Sequence, residues 1–162
     1  MKLIYAAALG FAALILGSCQ KDKRDLKNAQ PLELIPMHNE ARLSDAVLNQ
    51  VSLYYFINLT STHKEYVADF GRASGTGYQQ GILSSTDVAS LSAGENIKTF
   101  YLAFPDGTTD TLFVDYQSVS DDEARQNACY CKQPQVSVRI NGLPAIRAFY
   151  DQDSVPVYRV VK

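Results

Sequence analysis

Hydrophobic and polar positions divide the chain into three stretches with different periods. Leu3 to Leu16 (LIYAAALGFAALIL) carries no charge and is broken only by Gly10. Gln20 to Pro31 is polar, mixed in charge and without period, which predicts a flexible spacer. From Leu32 onward, short apolar runs alternate with turn residues. Leu32 to Pro36 predicts a first, edge strand, because proline suits a strand's end. Leu43, Ala46 and Val47 stand at helical spacing within Asn39 to Leu48, predicting one or two helical turns. After Gln50 the period becomes two: Val51, Leu53, Tyr55 and Ile57 alternate with Ser52, Tyr54, Phe56 and Asn58. Large apolar groups on both sets predict a central strand covered on both sides.

Further along, Glu65 to Phe70 predicts a short strand, Gly71 to Gly77 (GRASGTG) a loop, and Tyr78 to Leu83 another strand. Ser85-Thr86-Asp87 ahead of Val88-Ala89-Ser90-Leu91 predicts a capped helical turn. Ile97 to Phe104 and Thr108 to Tyr116 predict a hairpin joined by Pro105-Asp106-Gly107, where proline presets φ and glycine accepts a positive one. A second hairpin joins Gln135 to Ile140 with Leu143 to Tyr150 through Asn141-Gly142, a dipeptide suited to the tightest hairpin turn. Ser154 to Val161 adds a last alternating strand.

About seven or eight short strands, spaced by turns at intervals of roughly ten residues, predict an all-β domain. The expected architecture is an antiparallel β-sandwich of immunoglobulin- or transthyretin-like layout. No βαβ alternation and no glycine-rich phosphate loop is visible, which argues against a nucleotide-binding parallel sheet. The expected organisation is a signal segment over residues 1–18, a tether over 19–31 and the sandwich over 32–162.

The first stretch carries an address. Met1-Lys2 is a short positive start, and the apolar run that follows is short for a membrane span of about 20 residues. Leu16-Gly17-Ser18-Cys19 resembles the lipobox of bacterial lipoproteins: an aliphatic residue, two small residues and the cysteine of that family. The resemblance implies a diacylglycerol thioether on Cys19, cleavage before it, and palmitate-type acyl chains on the new terminus. At about 0.8 kcal/mol per buried CH₂, several chains make attachment effectively permanent. Gln20 stands where inner-membrane retention in enterobacteria uses aspartate, which implies the outer membrane. Lys21-Asp22 behind the cysteine is similar to the surface-export signal of Bacteroidota lipoproteins, although Lys23 replaces the second acid of that signal. The chain as a whole resembles the small Bacteroidota-type lipoproteins of unknown function, firmly only over Met1 to about Lys23. An envelope protein facing the periplasm or the cell surface is the expectation.

Composition narrows the function classes. Charged types make up 20 % and hydrophobic types 46 %, which excludes a disordered chain and a polytopic membrane protein. A formal net charge of −2 argues against a broadly basic nucleic-acid-binding surface.

Candidate chemistry is sparse. Cys129-Tyr130-Cys131 is the most unusual local feature. In an extended strand the two cysteines share a face with Cα atoms about 7 Å apart, so a bridge needs a turn or bulge. A structural disulfide, two thiols with packing roles only, and a redox or soft-metal pair all stay open. His38 and His63 lie far from the cysteines in sequence, and no metal site is expected. Asp121-Asp122-Glu123, Asp106, Asp110, Asp115, Asp151 and Asp153 match no calcium-loop spacing and read as solvated turns. No G-x-S-x-G occurs; Gly71-Arg72-Ala73-Ser74-Gly75 only approaches that pattern. No cofactor and no catalysis are expected.

Nine tyrosines follow the lipobox, and most fall on expected strands: Tyr54, Tyr55, Tyr66, Tyr78, Tyr101, Tyr116, Tyr130, Tyr150 and Tyr158. Sheets favour tyrosine, and so do recognition surfaces. The leading expectation is a lipid-anchored binding or assembly module for an envelope protein or a glycan. It predicts an exposed apolar or tyrosine-rich patch. The alternative is thiol-redox or soft-metal chemistry at Cys129 and Cys131.

Overall fold

The computed structural model describes residues 30–58, 60, 62–117, 135–151 and 155–162. Cys19 with its lipobox, the tether up to Ala29, Asp121-Asp122-Glu123, Cys129, Cys131 and Asp153 lie outside the described residues.

The chain forms two β-sheets in a sandwich-like arrangement. The first contains β1 (Leu32–His38), β2 (Ala41–Arg42), β5 (Gly71–Arg72), β6 (Leu83–Ser85), β11 (Ile146–Tyr150) and β12 (Pro156–Val161) in the order β11-β12-β1-β6-β5, with β2 paired to β1. The second contains β3 (Ser52–Tyr55), β4 (Glu65–Tyr66), β7 (Thr99–Ala103), β8 (Thr109–Gln117), β9 (Gln135–Ile140) and β10 (Leu143–Pro144) in the order β10-β9-β8-β7-β3-β4. Among the described residues three short helices accompany the sheets: α1 (Asp45–Leu48), α2 (Thr76–Gln80) and α3 (Asp87–Gly94). Pairing is antiparallel except between β1 and β12, which run parallel from Glu33↔Val157 to Met37↔Val161. The expected sandwich therefore contains one mixed sheet.

Alternation builds the core. Along β7, Phe100 and Leu102 are buried while Thr99, Tyr101 and Ala103 are partly exposed; along β8, Leu112, Val114 and Tyr116 are buried. These side chains meet Leu32, Leu34, Leu83 and Val160 of the first sheet, with Val88 and Ala89 of α3 closing one side. Each buried large apolar side chain contributes about 1.5–3 kcal/mol against exposure. A smaller cluster of Ile35, Ile82 and Val157, with Ala73 and Phe149, covers part of the outer face of the first sheet.

Several expectations need correction, among them the Gly71 to Gly77 loop, whose two ends fall in β5 and α2. β1 is an interior strand, not an edge. The Pro36 carbonyl accepts the Leu43 N–H at 3.5 Å, whereas Met37 accepts from Lys162 at 2.9 Å on the β12 side. The backbone nitrogen of Pro36 thus points away from β12, beyond where β6 stops pairing, and its missing N–H costs no ladder bond. Leu143 to Tyr150 is not one strand. It bends at Ala145 and passes from the second sheet to the first, the corner device of sandwiches. Tyr78 to Leu83 is not a strand either. Helix α2 ends at Gly81 with φ +78°, and β6 starts only at Leu83. The positive φ at Gly81 favours glycine, and a Cβ there would also displace the Arg42 side chain, which lies within 3 Å of its position. Finally, β3 lies second from an edge, beside the two-residue β4. Its outer face is covered by aromatic rings and not by another layer.

Both expected hairpins are present. Ile140 pairs with Leu143 across Asn141 (φ +51°) and Gly142 (φ +82°), the two positive φ values of a type I′ turn. Asn141 is also pinned: its backbone N–H donates to the Thr111 carbonyl at 2.8 Å and its Nδ2 to Asp110 Oδ1 at 2.7 Å. The β7–β8 turn is closed by Gly107, whose N–H donates to the Phe104 carbonyl at 3.0 Å.

Candidate functional site

The outer face of the second sheet carries a cluster of aromatic rings with the buried Tyr54 at its centre. Period two places Tyr54 and Phe56 on one side of β3, and register sets Tyr54 opposite Tyr101 of β7 and Tyr66 of β4. Four rings follow from this backbone geometry. Tyr54 stacks on Tyr101 with centroids 5.2 Å apart and planes 17° from parallel. Phe56 meets Tyr54 at 5.7 Å and Tyr101 at 5.3 Å, both edge-on. Tyr66 lies 5.9 Å from Tyr54 and is 61 % exposed. Offset and edge-to-face arrangements match the ring quadrupole, and each such pair contributes about 0.5–1.5 kcal/mol beyond area burial. The Lys64 ammonium sits 4.4 Å above the Tyr54 ring.

Beside these rings runs a groove of about 450 Å³. One wall is the exit of β3: Phe56, Ile57 and Asn58. The other is the connection from α3 to β7: Glu95, Asn96, Ile97, Lys98 and Thr99. Tyr101 also lines it. The second wall is held by a helix ending. Asn96 adopts φ +58°, and the Ile97 N–H reaches back to the Leu91 carbonyl at 3.0 Å, the left-handed stop that asparagine tolerates. The Lys98 carbonyl accepts the Val114 N–H at 2.8 Å, which ties the wall to β8. Its ammonium pairs with Asp115 at 2.8 Å, so the one lysine lining the groove is already matched by a carboxylate. Ile57 is 67 % exposed at the rim.

A second cleft, of about 440 Å³, lies against the outer face of the first sheet. Glu33 and Ser84 face it side by side from β1 and β6, with Thr76, Gln80 and Thr86 around them and Tyr150 and Asp151 beyond. Glu33 is buried.

Tyr55, Tyr116, Tyr150 and Tyr158 divide between the two roles considered for tyrosine, while Tyr130 lies outside the described residues. Tyr55 turns inward, edge-on to Phe100 at 6.0 Å; burial and then the Glu95, Glu65 and Asp87 carboxylates raise its pKa. Tyr116 is buried and donates to the Gln30 carbonyl at 3.0 Å; burial pushes its pKa up strongly. Burial also raises Tyr158. Tyr150 is exposed, with the Arg147 guanidinium 4.4 Å from its ring.

The described acids among those singled out in the sequence, Asp106, Asp110, Asp115 and Asp151, are committed to local structure. Asp106 accepts from the Thr108 backbone and hydroxyl at 2.9 and 2.6 Å and from Lys162 at 2.9 and 3.1 Å. Those bonds, the Thr108 hydroxyl first, hold its carboxyl well below the usual range. Asp110 accepts from Asn141, Asp115 from Lys98, and Asp151 from the Val155 N–H at 2.6 Å. His38 ends β1, and His63 pairs with Glu65 at 3.3 Å. Among the described residues no group of three or more His, Cys, Asp or Glu is placed to hold a metal ion.

The sequence points to Tyr54, Tyr66 and Tyr101 only as members of one set of nine tyrosines, without saying which of them gather on one face, and it does not single out Asn58, Asn96 or Lys98. The joint signal was available in part. Tyr54 and Phe56 are two apart on a strand, and Tyr101 is the polar-side member of an alternating run. Their union depends on β3–β7 register, which is a long-range pairing. A scan against family models finds no match for this chain, and searches of curated proteins and of solved structures find no similar protein.

Proposed function

We propose that this chain is a lipid-anchored, non-catalytic protein of the bacterial outer membrane that holds a binding module off the bilayer. The anchor rests on the Leu16-Gly17-Ser18-Cys19 pattern, with residues 19–31 as its tether. The binding role rests on one observation: the half-buried rings of Phe56 and Tyr101 and the exposed ring of Tyr66 pack over the buried Tyr54 beside a groove of about 450 Å³. Aromatic side chains lining a groove are the kind of surface that recognition sites favour. Its rigidity suits recognition, because the rings brace one another and lose little rotamer freedom on contact.

The test uses the full-length protein in detergent micelles and isolated outer-membrane fragments. The wild type binds saturably, and the Phe56→Ala/Tyr101→Ala double variant loses about tenfold or more in affinity, as deletion of two buried ring contacts predicts. Equal binding by the two proteins, with both folded by circular dichroism, removes the aromatic face from the function.

A further inference from the structure

Taking the groove as the binding site, we infer that its occupant is an uncharged saccharide chain. Shape is the first argument. A cavity of about 450 Å³ falls within the roughly 300–1,000 Å³ of sites that enclose small ligands, whereas a protein partner of standard size covers about 800 Å² of a flatter surface. A sugar unit or two fits such a groove while the chain runs out at its open ends.

Charge is the second. The ionisable lining groups are Glu95 and Lys98, and Lys98 is matched by Asp115 at 2.8 Å. A polyanion requires several uncommitted cations along its path, and this groove offers none among its described lining residues. A cationic peptide would find a single carboxylate, Glu95.

Chemistry is the third. A sugar ring presents apolar C–H faces and a rim of hydroxyls that both donate and accept. Phe56, Tyr101 and Ile57 supply apolar surface for the faces. Asn96, Thr99 and Glu95 supply amide, hydroxyl and carboxylate groups for the rim, and Asn58 adds its Nδ2, its Oδ1 being taken up by the Thr60 N–H and hydroxyl. Among the described residues, no hydrogen bond or ion pair engages the side chains of Glu95, Asn96 or Thr99. The backbone that carries these groups is held by a helix stop and a strand, which sets where their side chains start.

The experiment is calorimetric titration of the full-length protein, in a detergent without a sugar headgroup, with hexaoses of glucose and mannose in several linkages and with hexagalacturonate. A second arm measures binding to outer-membrane fragments after periodate, which cleaves vicinal diols, or after proteinase K. At least one neutral hexaose binds, Tyr101→Ala weakens it about tenfold or more, and raising salt from about 0.05 to about 0.5 M changes it less than about twofold. Periodate abolishes binding to fragments and proteinase K leaves it intact. Binding of hexagalacturonate alone, no binding by any hexaose, or binding to fragments that survives periodate and not protease overturns the saccharide. If fragment binding still needs Phe56 and Tyr101 in those cases, the groove stands as the site and only its ligand class falls. If neither fragments nor hexaoses distinguish the double variant, the site itself falls.

Discussion

Asp69 shows how one exposed side chain can decide a local structure. The helix α3 begins after Thr86, and no side chain of that residue caps it. Asp69 does so from the preceding loop. One oxygen accepts the Ser85 hydroxyl at 2.5 Å; the other accepts the Thr86 N–H and hydroxyl at 2.6 and 2.7 Å and the Asp87 N–H at 3.0 Å. Ser85 relays the cap by accepting the Val88 N–H at 3.3 Å. Partial burial opposes the charge on Asp69, but these bonds outweigh it and hold the carboxyl below its ordinary value. A lowered folded pKa stabilises the fold above the unfolded pKa, and that stability is lost as pH falls through the folded one. Asp69→Ala therefore costs about 1 kcal/mol in urea denaturation at pH 7, the usual price of a lost cap. The difference between wild type and variant stays constant down to about pH 4 and shrinks below it. A difference that instead grows on acidification contradicts the bonding pattern. The sequence pointed to Ser85-Thr86-Asp87 as the cap because capping rules are local. It could not point to Asp69, 16 residues before Ser85, since only the folded loop brings the two together.

At the scale of elements, turns were the most legible feature and sheet membership the least. Asn141-Gly142 announced its hairpin because few residues accept two successive positive φ values. The same geometry recurs where nothing announced it: Asn39 (φ +48°) and Glu40 (φ +63°) turn β1 into β2, with Met37 opposite Arg42. A glutamate in the left-handed region carries strain that glycine does not. Glu40→Gly is thus expected to raise stability by about 0.5–1 kcal/mol, and Gly142→Ala to lower it by about 1–2 kcal/mol. A Cβ at Gly142 would have no neighbour within 4 Å, so the whole penalty belongs to the backbone. Thermal unfolding reads both: shifts of about 2–4 °C per kcal/mol for a chain of this size, upward for the first and downward for the second. An unchanged Glu40→Gly midpoint would mean the left-handed turn stores no strain. The Leu143 to Tyr150 run was misread for a related reason. Alternation with period two continues through Ala145, and periodicity carries no information about which sheet a strand joins. Pro144 was the local hint, because a residue without an N–H suits a corner.

For the whole molecule, the proposed function turns on one covalent event, acylation of Cys19. The sandwich supplies a rigid face, closed at one end where Lys162 crosses from the first sheet to the β7–β8 turn. Its N–H donates to Met37, and its ammonium reaches Asp106 and lies 3.8 Å over the Phe104 ring. Such a face acts at a membrane only if the chain is held there. The chain has three cysteines, so the anchor and the thiol alternative can be tested in one count. If Cys19 is acylated, the mature protein, denatured and reduced, takes two maleimide labels, on Cys129 and Cys131. The Cys19→Ala variant then takes the same two but leaves the membrane pellet and incorporates no labelled palmitate. Three labels on the wild type mean that the sulfur at position 19 carries no lipid. The same assay without reductant reports the pair. A non-catalytic role expects a label count that does not change when the folded protein is exposed to glutathione buffers of different poise, because a structural bridge or two packed thiols do not exchange. A count that follows the buffer, moving between none and two over the range of thiol-exchange enzymes, would shift the function from the aromatic groove to Cys129 and Cys131.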